Sequence, residues 1–172
     1  MSKNIKLKRL SNKQQSILEK TLNYNLKLKE FQLYNPILGH YFNFYNNNSY
    51  KYFTFDSKYN LYNLKESLIP KNKDTYIKHI YSAKVKNNYT NKIEDRDVFI
   101  KVSSILETSQ HIQHLYNLNH NSGLPNYYHN QANRKINDSN NSAYIDSFSS
   151  FILGKLVEDG MCPSFPLYYG SF

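Results

Sequence analysis

The side chains able to do chemistry in this chain are few and scattered. His111 and His114 stand three residues apart in a short stretch of helical character, with His120 and His129 beyond them. Paired imidazoles at such a spacing suit zinc, but their irregular continuation through asparagine-rich sequence reads as exposed histidines instead. Cys162 is the single cysteine, which excludes an intramolecular disulfide and any cysteine-based zinc pattern. It precedes Pro163, and with only Lys155 as a nearby cation it lacks the electropositive setting of a reactive thiol. No Ser, His and Asp fall into a local grouping of the kind that activates a hydroxyl. The run Tyr50-Lys51-Tyr52-Phe53 interleaves aromatic and basic side chains. Such a run stacks bases in a single-strand binder, and it fills the core of a small sheet equally well. Lys101 stands inside a largely apolar alternation, where by itself it reads as the exposed position of a half-buried strand.

The elements that must position these groups follow from the hydrophobic period. Residues 11–34 read as a helix: Ser11 and Gln14 stand at capping-box spacing, and Ile17, Leu18, Leu22, Leu26 and Leu33 recur at spacings compatible with one face. Lys13, Lys20, Lys27 and Lys29 accompany them, so this helix is amphipathic and basic. Residues 41–55 are aromatic and Asn-rich, with the alternation of a strand or hairpin around Phe53 and Phe55. Two clearer strands follow. Residues 76–86 set Tyr81, Ala83 and Val85 against Ser82, Lys84 and Lys86; residues 97–105 set Val98, Ile100 and Val102 against Phe99, Lys101 and Ser103. The polar stretch 87–96 joins them as an antiparallel hairpin. Residues 107–118 are expected as a short helix and 119–141 as a polar loop or insertion. A second helix, from 142 or 143 to 158, carries Ile145, Phe148, Ile152 and Leu156 at helical spacing and stops at Asp159-Gly160. The closing stretch 165–172 reads as a strand.

The formal charge of +9 is unevenly spread: residues 1–101 hold 19 Lys and Arg against 8 Asp and Glu, whereas 102–172 hold 3 against 5. A basic first part attracts nucleic acid, anionic lipid or an acidic partner through salt-sensitive fields, and it is also what a lysine-rich solvated surface looks like. No stretch approaches the 18 or so apolar residues of a transmembrane helix. With one cysteine and no signal-peptide core after Met1, a reducing compartment is expected, and sequons such as those at Asn47 and Asn88 are expected to be silent.

Hairpin, helix and strand in this order, with a lysine inside the second strand, resemble the small lobe of a protein kinase. Val98-Phe99-Ile100-Lys101 resembles the V-A-I-K strand, and Phe165-Pro166-Leu167-Tyr168-Tyr169-Gly170-Ser171-Phe172 looks like the strand after the C helix. The run 140–148 (NNSAYIDSF), continuing to Tyr169-Gly170-Ser171, resembles kinase-like proteins of mimivirus-type giant viruses and their poxvirus virion-kinase relatives. The resemblance covers roughly residues 76–172. It implies an α+β, kinase-like small lobe with an antiparallel sheet and one C-helix equivalent (71–172), preceded by a basic helical extension (1–70). It also implies ATP and Mg²⁺ as cofactors, serine and threonine of viral proteins as acceptors, and a location in the host cytoplasm or virion. Lys101 is then the phosphate-anchoring lysine, and Asp146 its helical carboxylate, in competition with Glu107 and Glu158. Phe99 takes the place of the small residue beside the adenine, and the backbone around Ser82 and Ala83 would approach the phosphates.

Departures from the kinase pattern set limits on that activity. No glycine occurs between Gly39 and Gly123, so the G-x-G-x-x-G cover is missing. Neither an H-R-D-x-x-x-x-N loop nor a D-F-G occurs, so this chain is expected to contain no catalytic residue of its own. The chain reads as a truncated lobe, inactive alone, whose large lobe would come from an adjacent reading frame. A pseudokinase module that regulates a partner is a further option. The alternative class is a non-catalytic basic structural or nucleic-acid-binding virion protein using residues 1–101.

Overall fold

The computed structural model describes residues 7–9, 16, 17, 19–22, 26, 36, 37, 53–67, 79–113, 115, 116 and 131–171. Strand β1 (Leu7–Arg9) pairs antiparallel with β2 (Phe53–Phe55). Strands β3 (Tyr59–Ser67), β4 (Ile80–Asn87) and β5 (Ile93–Phe99) form a second antiparallel sheet in the order β3-β4-β5. Helices α1 (Thr108–Ile112), α2 (Gln131–Asn137) and α3 (Ser142–Glu158) follow. The chain is thus a mixed α+β arrangement of two small antiparallel sheets and a few helices.

Alternation along β4 decides which face of the larger sheet is covered. Tyr81, Ala83 and Val85 are buried, together with Val98 of β5 and Leu61 and Leu64 of β3, and Leu22 packs on them with Leu26 at its margin. Both leucines of the first segment lie among helical residues (16, 17, 19–22 and 26), within the helix expected over 11–34. On the same face Arg96 lies 4.5 Å from the ring centre of Tyr59, which meets Tyr169 edge-on. The other face stays open, since Lys84, Tyr62, Asp95, Asp97 and Phe99 are exposed.

Strand β3 is not foreshadowed by hydrophobic alternation. Leu61 and Leu64 stand three apart among asparagines, which are poor strand formers, and a period of two would set them on opposite faces. A register shift between Leu61 and Asn63 brings both leucines onto the covered face, and a second follows between Leu64 and Ser67. The β4-β5 hairpin is also tighter than expected. Ile93 to Arg96, expected within the loop, pair with Lys86 to Ala83. The turn closes because the Asn87 side chain accepts from the Tyr89 and Thr90 amides and Asn91 adopts a positive φ of 56°, a conformation that asparagine tolerates. A strand so rich in acids gives no alternation signal because its outer side is solvated.

Helix α3 builds the second core. Tyr144, Phe148, Phe151 and Ile152 recur on one side, against Ile37, Phe55 and Tyr168. The Phe151 ring stacks on Phe55 at 4.5 Å and meets Tyr168 edge-on at 5.4 Å. Gly154 makes the approach to Tyr168 possible: a Cβ there would lie 2.6 Å from the Tyr168 Cβ and 2.9 Å from its backbone nitrogen. Burial pushes the pKa of the Tyr168 hydroxyl well up, and that hydroxyl shares a 2.6 Å hydrogen bond with Ser171. The helix starts at Ser142 under an Asn141 cap and ends at Asp159, with Gly160 at φ 72°, the left-handed closure expected of glycine.

Several expectations change at the edges of elements. Strand β5 ends at Phe99 instead of running to 105, because its last rung is the Ile100 amide donating to the His79 carbonyl. Val102, expected on the buried face, is exposed. The helix expected over 107–118 is the five-residue α1, closed at Gln113. The stretch expected as loop over 119–141 contains α2, with Ala132 buried, while 117–130 lies outside the described residues. Residues 165–171 form no regular strand; Pro166 lacks a donor, and the segment's backbone bond to the sheet is the Leu61 amide to the Tyr169 carbonyl, 2.8 Å. The division expected at residue 70 falls between hydrogen-bonded neighbours β3 and β4, and Leu22 and Ile37 enter the two cores.

Candidate functional site

Lys101 leaves the sheet just beyond β5. The His79–Ile100 rung fixes the backbone beside it, and its side chain reaches helix α3, where the Lys101 Nζ lies 2.8 Å from an Asp146 carboxylate oxygen. Asp146 stands one turn into the helix after Ser142, so the Asn141 cap sets its position. The two side chains are 61% and 42% exposed. Water screens such a pair, which is worth about 0–1 kcal/mol to the fold, and the ammonium stays open to an incoming anion.

The three carboxylates that competed for this lysine are sorted by the fold. Glu107 pairs with Lys135 of α2. Glu158, its side chain 6% exposed, accepts from the Lys58 amide at 2.8 Å and from Lys155 Nζ at 2.7 Å, and so clasps the end of α3 to the β2-β3 turn. That leaves Asp146 to Lys101.

Of the other nominated residues, Phe99 is exposed beside the site, its ring edge-on to His79 at 6.1 Å. Ala83 is not brought to it. It pairs with Arg96 and is fully buried on the covered face, whereas Phe99 pairs with Ile80 on the open one. Facing residues on antiparallel strands share a face, so Ala83 offers no surface beside Phe99. Ser82, opposite Asp97, does lie on the Phe99 face.

A cleft of about 310 Å³ opens three residues past Lys101 and one turn before Asp146. Among its walls are Ser104, Glu107, Thr108, Lys135, Asn141 and Ser142. Asn141 holds this corner together. Its side-chain oxygen accepts from the Ala143 amide at 3.1 Å, while its NH₂ donates to the carbonyls of Ile105 at 2.8 Å and Lys135 at 3.1 Å. The segment after Lys101, α2 and the start of α3 therefore meet at one side chain. Sequence reasoning missed this role; an asparagine ahead of a periodic apolar run signals the cap, but nothing local signals the two tethers.

Among the described residues no three His, Cys, Asp or Glu side chains converge as a metal site requires. His111 is exposed on α1, and His114, His120 and His129 lie outside the described residues. Cys162 is a free, half-buried thiol. No helix among the described residues is long and apolar enough to cross a membrane. No family model matches the chain, and no curated protein or solved structure matches it.

Proposed function

We propose that this chain is the nucleotide-facing small lobe of a serine/threonine protein kinase-like protein, with Lys101, held by Asp146, as the phosphate anchor. The Lys101–Asp146 ion pair carries the reading: a lysine just past the last strand of an antiparallel meander meets a carboxylate on the next long helix. Kinase catalysis depends on such a pair to place a cation against the nucleotide's phosphates. Phe99 lies beside it as an exposed apolar surface for a base. Mg²⁺ would arrive with the nucleotide, since it is commonly held by phosphates and one or two carboxylates. ATP would supply the phosphoryl group, and transfer to a viral protein would require a large lobe that brings the catalytic and metal-binding carboxylates. Lys101→Met is expected to weaken Mg-ATP binding, measured by calorimetry, at least about tenfold, since charge-assisted hydrogen bonds contribute about 1.5–3 kcal/mol. Unchanged affinity overturns the phosphate-anchor role.

A second reading, a basic nucleic-acid-binding or structural virion protein, draws on the open face of the larger sheet, where Lys84 and Tyr62 are exposed. Filter binding across a salt series separates the two: steep loss of nucleic-acid affinity with salt supports it, and no binding at low salt sinks it.

A further inference from the structure

The order β3-β4-β5 leaves β5 at the margin of the larger sheet, and no strand among the described residues pairs with its outer side. Which backbone groups face outward follows from the ladder. The Asn87 amide donates to the Lys92 carbonyl and the Ile100 amide to the His79 carbonyl, so the even-numbered residues of β5 bond to β4. By the antiparallel alternation, the amides and carbonyls of Ile93, Asp95, Asp97 and Phe99 point away from the sheet. The side chains of these four residues share the open face, and all four are exposed, Ile93 at 48% and Phe99 at 64%. A seven-residue edge with exposed apolar ends and free main-chain groups is a template for another extended chain.

Charge selects what such a chain would carry. Asp95 is balanced from within the sheet, since Lys65 lies 2.7 Å from its carboxylate and Lys84 stands opposite it on β4. On the other face Glu94 holds Arg96 at 2.8 Å. Asp97 stands opposite Ser82 and takes no ion pair among the described residues. Its uncompensated carboxylate sits midway along the open edge, next to the apolar Phe99. A second copy of this chain is a poor occupant, because two β5 edges pairing antiparallel along their full length would set Asp95 of each against Asp97 of the other, and like charges facing across strands destabilise pairing.

We propose that β5 receives an extended basic peptide segment of a partner protein as an added strand. A lysine or arginine of that segment faces Asp97, an apolar residue two positions to one side lies against Phe99, and another four positions to the other side lies against Ile93. Main-chain bonds supply affinity in this mode and the side-chain alternation supplies selectivity. At physiological ionic strength the screening length is about 8 Å, so the charges nearest Asp97 count for more at this edge than the net charge of the whole protein.

The probe is an acetylated peptide of about eight residues, the length of an ordinary strand, with lysine placed to face Asp97, valine two positions to one side and four to the other, and threonine elsewhere, titrated by fluorescence anisotropy and followed by amide hydrogen exchange. The expected result is saturable binding, slowed exchange at the amides of Ile93, Asp95, Asp97 and Phe99, and at least about tenfold weaker binding of the analogue with glutamate in place of the lysine. Asp97→Asn lowers the affinity for the lysine peptide. Asp97→Pro abolishes binding while leaving the β4 ladder intact, since the amide it removes points outward. Should that variant not fold, the lysine peptide N-methylated on alternate residues tests the same bonds on the unaltered protein and is expected not to bind. Equal binding of the methylated peptide, equal binding of the glutamate analogue, or protection confined to residues outside β5 overturns the proposal. A concentration-dependent dimer in sedimentation, with β5 amides protected and no peptide present, overturns it in favour of self-pairing.

Discussion

Asn141 joins three elements through one amide, and the contribution of each bond can be separated by substitution. Asn141→Ser keeps a good helix cap but loses both donations, to the Ile105 and Lys135 carbonyls. At about 0.5–1.5 kcal/mol for each hydrogen bond, the tethers contribute roughly 1–3 kcal/mol. Asn141→Ala loses the bond from the Ala143 amide as well, which adds about 1 kcal/mol for the cap. Urea unfolding is therefore expected to place Asn141→Ser about 2 kcal/mol below the parent protein and Asn141→Ala about 3 kcal/mol below it. For a chain of 172 residues the first corresponds to a Tm lower by roughly 4–8 °C. Because Asp146 stands one turn inside α3, faster hydrogen exchange in that first turn should accompany both variants. An Asn141→Ser protein within about 0.5 kcal/mol of the parent, close to the ordinary scatter of surface substitutions, would refute the idea that the tethers hold the corner.

Lys101→Met should change stability by less than about 1 kcal/mol, because the Lys101–Asp146 pair is solvent-screened; a larger loss in chemical denaturation would make the pair a structural element. Gly154→Ala raises helix propensity by about 1 kcal/mol yet sets a methyl against the Tyr168 backbone, where overpacking costs about 1–3 kcal/mol. A lower Tm is expected, together with loosening of the tail around Tyr168. Glu158→Gln removes the charge beside Lys155 and weakens the bond from the Lys58 amide. A loss of about 1–3 kcal/mol is expected in unfolding measurements. The Lys65 hydrogen bond holds the Asp95 pKa below its ordinary value. Its contribution to stability is therefore present above the usual carboxylate pKa of about 3.9 and lost as pH falls through the lower folded value. Carbon-detected NMR titration should find Asp95 below that value, and Lys65→Met should return it upward.

Helix α3 and the β4 core were legible because their signals are local. Apolar residues at helical spacing and Asp159-Gly160 at the end gave the helix to within a residue, and strict alternation placed Tyr81, Ala83 and Val85 on one face, which is buried. The candidate site was legible only through resemblance. Lys101 and Asp146 lie 45 positions apart, and neither spacing nor period says that they meet, or that Glu107 and Glu158 are occupied by other lysines. Ala83 illustrates the limit: its nomination followed from sequence order, while the face it occupies followed from register.

The sequence by itself determined the basic first part, the single thiol, the absence of a glycine-rich phosphate cover and the existence of α3, since each depends on composition or on neighbours within one turn. Tertiary structure alone decided the rest. Leu61 and Leu64 became a strand face through bulges that β4 imposes, and Asn141 became a three-way tether because two distant carbonyls came within reach. The free margin of β5 exists because no described strand packs beyond it. Local chemistry sets what each segment can do, and the neighbours brought to it by folding set which of those options is realised.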